Sequence, residues 1–214
     1  MITTTNSINT KNTKLLLLCG TVLAPAFWVV AIIEMFTRSG FNPRELAVSS
    51  LSLGSMGWIQ VTNFIGAGAL ALLCAVGLRQ VLANGRGKTW GPLLITTYGL
   101  GLILAGFFKP DAGFGFPAGA PSGKPASFSP HAMVHSVAFF IIFLSLIASC
   151  FVLARRFSSL GQKTWARYSL FTGVVAPILV VLGLGSTSST GIFFAAAGIT
   201  AFGWLSVVAY HLSK

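Results

Sequence analysis

Few side chains in this sequence can carry acid, base or metal chemistry, and most of them fall at corresponding ends of long apolar segments. The chain has three carboxylates, Glu34, Glu45 and Asp111, and three histidines, of which His131 and His135 are four residues apart. Imidazoles at this spacing lie on one face of a helix, so they can share a metal ion with a carboxylate from a neighbouring element. The spacing therefore predicts a metal site at His131 and His135, with Asp111 as the third ligand and zinc as the candidate metal.

Glu34 is the second candidate for acid–base chemistry, because a carboxylate near the hydrocarbon normally faces the bundle interior with a partner. If the site is catalytic, we expect a metal-activated water, with Glu34 as general base and Asp111 as a catalytic metal ligand. Glu34 also precedes Arg38 by four residues. A structural ion pair on one helix face is therefore the alternative interpretation.

The histidine pair also has interpretations without a metal, since its spacing lacks the glutamate of the HExxH motif. Ser129 and Pro130 predict the start of the helix that carries both histidines. His131 and His135 can line a metal-free polar pocket there, or His131 can contact its own loop while His135 bonds a backbone carbonyl. Four further residues are expected to line the pocket: Arg44, Glu45, Gln60 and Asn63.

The elements that must position these residues are membrane helices. Hydrophobic residues make up 54% of the chain and charged residues 8%, whereas about 25% of the residues in soluble domains are charged. A helix needs about 20 apolar residues to cross the hydrocarbon layer. Segments of suitable length cover residues 15–36, 59–82, 91–108, 131–155, 168–185 and 191–211. The sequence thus predicts an all-α polytopic membrane protein: a six-transmembrane-helix bundle forming one domain over 14–214, after a disordered cytoplasmic tail over 1–13.

The net charge of +11 is spread over helix ends, which argues against a nucleic-acid partner. Of the 14 lysines and arginines, Arg38, Arg44, Lys109 and Lys124 fall on one side and the other ten on the side of both termini. The positive-inside rule places that side in the cytoplasm, so we expect a multi-pass protein of the inner, cytoplasmic membrane. The expected partners are the lipid bilayer and a lipid or small apolar ligand.

Two connections on the side opposite the termini have an unusual composition. Residues 37–58 are moderately apolar, and residues 109–130 combine five of the nine prolines with Phe114, Phe116 and Phe128. Proline at this density precludes a helix, while the aromatic residues argue against a solvated linker. We expect both connections to form cap loops over the outer mouth of the bundle.

A succession of short motifs runs from the first of these connections to the histidine pair. Its members are Leu51-Ser-Leu-Gly54, Gly57-Trp58, Asn63-Phe64, Ala75-Val-Gly-Leu-Arg79, Gly106 ahead of Asp111, Gly115-Phe-Pro117 and His131-x-x-x-His135. The succession resembles the bacterial integral membrane family named domain of unknown function 998 (DUF998), over residues 15–212. This resemblance implies six helices, a short polar start and no partner domain, and it supplies no agreed activity. The family pattern often has Phe-Pro before the aspartate and Gly-Ala between the histidines. This chain has Phe108-Lys109-Pro110 and Ala132-Met133-Val134 instead.

Three functions fit these residues. The first is a non-catalytic protein, either a small-ligand or lipid-binding protein or an envelope accessory factor, with a polar pocket at the extracytoplasmic face. The second is a metal-dependent intramembrane hydrolase, in which His131, His135 and Asp111 hold a metal that activates water against a lipid-like substrate. The third is a small-molecule transporter, which normally places its polar site at the midplane. The sequence favours the first because it requires no missing motif, and it does not decide whether the protein is an enzyme.

Overall fold

The computed structural model describes residues 3–125 and 127–214, and in these residues it is built from helices. The bounds are α1 Thr3–Thr37, α2 Gly57–Val81, α3 Trp90–Phe107, α4 Pro130–Ser159, α5 Lys163–Gly185 and α6 Thr190–Leu212, with a short 3-10 helix at Val48–Ser52, termed the cap helix. All six α-helices are long and apolar enough to cross a membrane. The predicted six-helix membrane architecture is confirmed.

The six helices form a closed ring, in which each helix packs against the next and α6 returns to α1. Polar bonds inside the ring fasten α6 to both of its neighbours. Ser206 Oγ donates to the Gly20 carbonyl oxygen at 2.8 Å and accepts from the Ala24 amide at 3.1 Å. Trp204 Nε1 donates to Ser169 Oγ at 3.0 Å. Such bonds hold neighbouring helices together in lipid, where the burial of apolar surface between helices contributes little free energy to their association.

The α2–α3 contact brings two helix backbones against each other at a pair of glycines. A Cβ atom added to Gly68 would lie 2.7 Å from the Gly99 carbonyl oxygen, and one added to Gly99 would lie 2.9 Å from the Gly68 carbonyl oxygen. Any larger residue at either position would push the helices apart. Small residues therefore set the spacing of this helix pair.

The outer surface of the ring is apolar. On α5, Phe171, Val174, Ile178 and Val181 are each half exposed or more. A soluble monomer rarely exposes apolar side chains in such a continuous row. Lipid is the solvent that suits this surface, so the chain is a multi-pass membrane protein.

Helix α1 extends further toward the N-terminus than the apolar pattern indicates. It begins at Thr3, so the described part of the expected tail, residues 3–13, continues the helix. No glycine or proline interrupts these residues, and the Thr13 hydroxyl donates to the side-chain oxygen of Gln80 on α2. Residues 1 and 2 of the expected tail lie outside the described residues.

The bundle has two chemically distinct ends. Lys14 of α1, Gln80 of α2 and Lys214 line one groove, so both chain termini lie at the same end, termed the termini end. The opposite end, termed the cap end, is formed by connections 38–56 and 108–129. The cytoplasmic location of the termini stays a prediction.

Candidate functional site

Arg38 ties α1 to both cap connections. Its Nη1 lies 3.1 Å from Glu34 Oε1 and donates to the Leu51 carbonyl oxygen at 3.0 Å, while Nη2 donates to the Leu53 carbonyl oxygen at 2.7 Å. The guanidinium carbon lies 5.3 Å from the centre of the Phe116 ring. The side chains of Arg38 and Glu34 are only 12% and 4% exposed, so the pair is buried. The structure confirms the ion pair that was the alternative interpretation of Glu34.

Glu34 and Gln60 each keep one buried polar atom without a described partner, Glu34 Oε2 and Gln60 Nε2. The other side-chain atom of Gln60, Oε1, accepts from Asn63 Nδ2 at 3.1 Å. Asn63 Nδ2 also donates to the Phe27 carbonyl oxygen at 3.0 Å, which joins α2 to α1. Gln60 and Asn63 thus take part in helix contacts, and their role in a ligand pocket stays a prediction. Buried polar atoms normally have partners, so Glu34 Oε2 and Gln60 Nε2 are unusual among the described interior atoms.

The other two expected pocket residues lie in the first cap connection. The Arg44 side chain is exposed, and its backbone carbonyl accepts from the Gly191 amide at 2.9 Å, which fastens the connection to α6. Glu45 is half-buried and lines a cleft of about 160 Å³, termed the cap cleft. Asp111 lines the same cleft. Two of the three carboxylates of the chain therefore share one opening at the cap end.

Asp111 also positions the start of α4. Its Oδ2 accepts from the Ser129 amide at 2.8 Å, and Ser129 Oγ in turn accepts from the Ala132 amide at 3.1 Å. Pro130 occupies the first turn, as the sequence predicts. A carboxylate beside a helix N-terminus is also favoured by the helix dipole. At least one oxygen of Asp111 therefore has a structural role.

Both histidines face Phe108, which follows the end of α3. The exposed His131 ring has its centre 5.2 Å from that of the Phe108 ring. His135 is 8% exposed, and its Nδ1 lies 2.7 Å from the Phe108 carbonyl oxygen. Because a carbonyl oxygen only accepts, Nδ1 is the donor, and Nε2 of the neutral imidazole keeps its lone pair. The expectation that His135 bonds a backbone carbonyl is confirmed.

The expected metal ligands are not gathered into one ligand set. Within residues 3–125 and 127–214, no group of three or more His, Cys, Asp or Glu is arranged so that it can hold a metal ion. Asp111 is engaged by Ser129, while His131 is exposed. His135 keeps the orientation of a ligand, since metal-binding histidines commonly donate their other N–H to a carbonyl. The metal site and its zinc stay predictions.

Beneath the cap helix, the interior of the ring contains a cavity of about 70 Å³, termed the aromatic cavity. Its aromatic wall residues are Phe27, Trp28, Phe64, Phe139, Phe143, Phe194 and Phe202. The wall also carries polar groups on His135 and Ser49. Trp28 is 9% exposed, and its indole Nε1 is buried without a described acceptor. The cavity surface is mainly apolar, with His135 and Ser49 as its polar lining residues, while Trp28 Nε1 is closed off from it.

The aromatic cavity and the cap cleft adjoin each other at the first cap connection. Ala47 lines both, Ser49 faces the cavity and Ser50 faces the cleft. Trp28 lies nine residues before the end of α1 at Thr37, which is about 14 Å along the helix axis. The cap end thus places a cleft with two carboxylates above a cavity with aromatic walls.

The sequence did not reveal the aromatic cavity. Its walls come from α1, α2, α3, α4, α6 and the cap helix, so the lining depends on how separate helices meet. Phe139 and Phe143 are four residues apart, which predicts a shared face. However, the lipid-facing Phe36 and Phe171 are equally apolar and aromatic. Residue type alone cannot separate a cavity wall from a lipid-facing surface.

A closed ring of six membrane-spanning helices, with its carboxylates under a cap at one end, defines the chain as a multi-pass membrane protein. The family model described as protein of unknown function (DUF998) matches residues 21–211. The chain belongs to the DUF998 family, as its motifs indicate. Comparison with curated proteins and with solved structures finds no match. The family description names no activity, so the function must be argued from the site.

Proposed function

We propose that the protein is non-catalytic and binds a small apolar or lipid-like ligand at its cap end. The apolar part of the ligand enters the aromatic cavity, and the polar part lies toward the cap cleft. The observation that carries this proposal is the aromatic cavity itself, with its almost entirely apolar lining. A ligand chain there gains dispersion contacts with the walls.

The size of the cavity limits what can enter it. Pockets for whole drug-sized ligands have volumes of about 300 to 1,000 Å³, and a cavity of about 150 Å³ holds one benzene molecule. The aromatic cavity, at about 70 Å³, holds the end of a slender chain. This volume favours an alkyl or similar chain over a bulky ring system.

The polar groups near the cavity favour a ligand that is also a hydrogen-bonding partner. His135 and Ser49 line the cavity, and their imidazole and hydroxyl groups can form hydrogen bonds with such a ligand. The cap cleft, which adjoins the cavity at Ala47, adds the carboxylates of Glu45 and Asp111, which accept hydrogen bonds from an uncharged or cationic head. An amphiphile with a polar head and a narrow tail satisfies both compartments.

The two alternative functions stay predictions. A metal-dependent hydrolase requires His131 and Asp111 to join His135 around one ion, and their described contacts hold them to Phe108 and Ser129 instead. A transporter requires a polar site reachable from both ends. The unpartnered polar atoms of Glu34 and Gln60 lie within two turns of the cap end of their helices. No described contact favours either function over ligand binding.

Thermal unfolding of the purified protein with dodecan-1-ol tests the proposal, because its uncharged hydroxyl can donate to the carboxylates of the cap cleft. A ligand that binds only the folded state stabilises it by about 2.7 kcal/mol at a hundred times its Kd. We therefore expect the unfolding midpoint of the wild type to rise as the alcohol is added. Ala47→Phe, which places a ring in the wall between the two compartments, should abolish this rise.

Ala118→Phe is the matched control, because Ala118 is an exposed residue of the second cap connection. This variant should keep the full rise in the unfolding midpoint. If the unfolding midpoint rises equally in the wild type and in both variants, the alcohol binds to the lipid-facing surface and not in the cavity. No response of the wild type would also contradict the proposal.

A further inference from the structure

A basic groove lies at the termini end, between the end of α4 and the start of α5. It has a volume of about 310 Å³ and is lined by Arg155, Lys163 and Arg167, together with Ser158. The three cationic side chains are exposed. This groove is at the opposite end of the bundle from the aromatic cavity and plays no part in the ligand binding proposed there.

The cations of the groove have no anionic partner in the described residues, 3–125 and 127–214. Within the described part of the chain, Arg155, Lys163 and Arg167 have no side-chain hydrogen bond or ion pair, whereas the neighbouring Arg156 donates to the carbonyl oxygens of Asn84 and Arg86. The carboxylates of the chain, at positions 34, 45 and 111, belong to the opposite end. Three clustered positive charges therefore face outward without compensation.

The groove also has an apolar floor. Ala154 and Leu170 line it, and Leu170 is 46% exposed and precedes the exposed Phe171 on α5. Trp165 lies between Lys163 and Arg167 and is stacked on His211, with ring centres 4.0 Å apart. Tryptophan at a helix end marks the level of the lipid headgroups. The cations thus lie at headgroup level and the floor continues into the acyl-chain region.

We propose that this groove binds the headgroup of an anionic phospholipid from the adjacent leaflet. The phosphate is held by Arg155, Lys163 and Arg167, the Ser158 hydroxyl is placed to donate to it, and an acyl chain lies over Leu170. Basic pockets between membrane helices are known to hold such headgroups. The apolar floor favours a lipid over a free phosphate ion, which would gain nothing from it.

Native mass spectrometry of the full chain in neutral detergent, titrated with phosphatidylglycerol or with phosphatidylcholine of the same acyl chains, tests this proposal. We expect phosphatidylglycerol to bind at least tenfold more tightly. In the variant Arg155→Gln/Lys163→Gln/Arg167→Gln, binding should weaken roughly a hundredfold, since each cation near the surface contributes about a fivefold factor. Each single variant should weaken it roughly fivefold, which keeps the test usable if the triple variant fails to fold.

The matched control is Arg79→Gln/Arg86→Gln/Lys88→Gln, which removes the same charge from exposed positions at the same end but outside the groove. It should keep the preference for phosphatidylglycerol. An equal loss in both triple variants would overturn the proposal in favour of a general charge effect. Glycerol phosphate is the third ligand in this experiment. If it displaces phosphatidylglycerol at equal concentration, the site binds a free phosphate and the assignment to a lipid is wrong.

Discussion

The two ends of the bundle use their charged residues in different ways. At the cap end, Arg38 is buried and is shared between Glu34 and the carbonyl oxygens of the first cap connection. At the termini end, Arg155 and Arg167 are exposed and have no described partner. Arg38 at the cap end therefore holds the first cap connection against α1, while Arg155 and Arg167 at the termini end are directed toward the surroundings.

This contrast does not hold for every cation, since Arg44, Lys109 and Lys124 at the cap end are exposed. Arg156 lies at the termini end, yet it donates to the carbonyl oxygens of Asn84 and Arg86 in the α2–α3 connection. It stands next to Arg155 in the sequence, and the two arginines have different surroundings. Whether an arginine is structural is decided by the backbone carbonyls within its reach, and not by the end of the bundle at which it lies.

The most decisive test of this comparison determines on which side of the membrane each end of the bundle lies. Ser122→Cys in the cap and Thr164→Cys at the start of α5 both replace exposed residues. Because the positive-inside rule puts the termini end in the cytoplasm, a membrane-impermeant maleimide should label Ser122→Cys in spheroplasts and Thr164→Cys only after lysis. The native Cys74 and Cys150 are buried, and the wild type gives the background of all three native cysteines. The reverse pattern would place the cap in the cytoplasm.

The largest stability effect is expected at Arg38. Arg38→Ala leaves Glu34 buried without its partner and frees two carbonyl oxygens, so the free energy of unfolding should fall by about 3 to 5 kcal/mol. Unfolding by titration with a denaturing detergent measures this change. Arg44→Ala removes an exposed cation of the same connection and should change the free energy of unfolding by less than about 0.5 kcal/mol. Similar losses in the two variants would show that Arg38 does not clamp the cap.

A smaller loss is expected at Asp111. Asp111→Ala removes the acceptor of the Ser129 amide and should lower the free energy of unfolding by about 2 kcal/mol, the range for hydrogen bonds to charged groups. Asp111→Asn retains an acceptor oxygen and should recover most of this loss in the same titration. If Asn were as damaging as Ala, the negative charge itself would stabilise the start of α4 through the helix dipole, and the hydrogen bond would not account for the loss.

The smallest predicted change in the free energy of unfolding distinguishes the adjacent Arg155 and Arg156. Arg156→Ala should lower the free energy of unfolding by about 1 kcal/mol, because its bonds to the α2–α3 connection are partly exposed. Arg155→Ala should leave the free energy of unfolding within about 0.5 kcal/mol of the wild type. Equal values for the two variants would remove the distinction between a structural and an outward-facing cation.

Much of the fold could be predicted because apolar segment length is a local property of the sequence. The boundaries were less accurate: α5 begins at Lys163 and not at 168, since Trp165 and Arg167 are amphipathic enough to continue a helix into the headgroup region. The Glu34–Arg38 pair followed from its spacing. The other acceptors of Arg38 could not be predicted, because they are backbone carbonyls of a connection, which any residue provides.

The candidate site was predicted in part. The histidine spacing correctly indicated a shared face, since His131 and His135 both contact Phe108. The spacing did not reveal that one histidine is exposed and the other buried, because burial depends on the connection that folds over them. The aromatic cavity could not be predicted, because it forms only when the six helices close on themselves. That closure brings Phe27 of α1 beside Phe202 of α6, with the centres of their phenyl rings 5.3 Å apart.

Fluorescence quenching at Trp28 tests the central claim most directly. In a variant with Trp58, Trp90 and Trp165 replaced by phenylalanine, the remaining tryptophans are Trp28 and the fully buried Trp204. The Trp28 signal is assigned by adding Trp28→Phe. The probes are two forms of dodecan-1-ol, one with bromine on the terminal carbon and one with bromine on the carbon beside the hydroxyl-bearing carbon.

If the chain end enters the aromatic cavity, terminal bromine should quench Trp28 strongly and bromine near the hydroxyl group should quench it weakly. Ala47→Phe should remove the quenching, and Ala118→Phe should leave it intact. Equal quenching by the two probes, or quenching that survives Ala47→Phe, would contradict a ligand cavity beneath the cap.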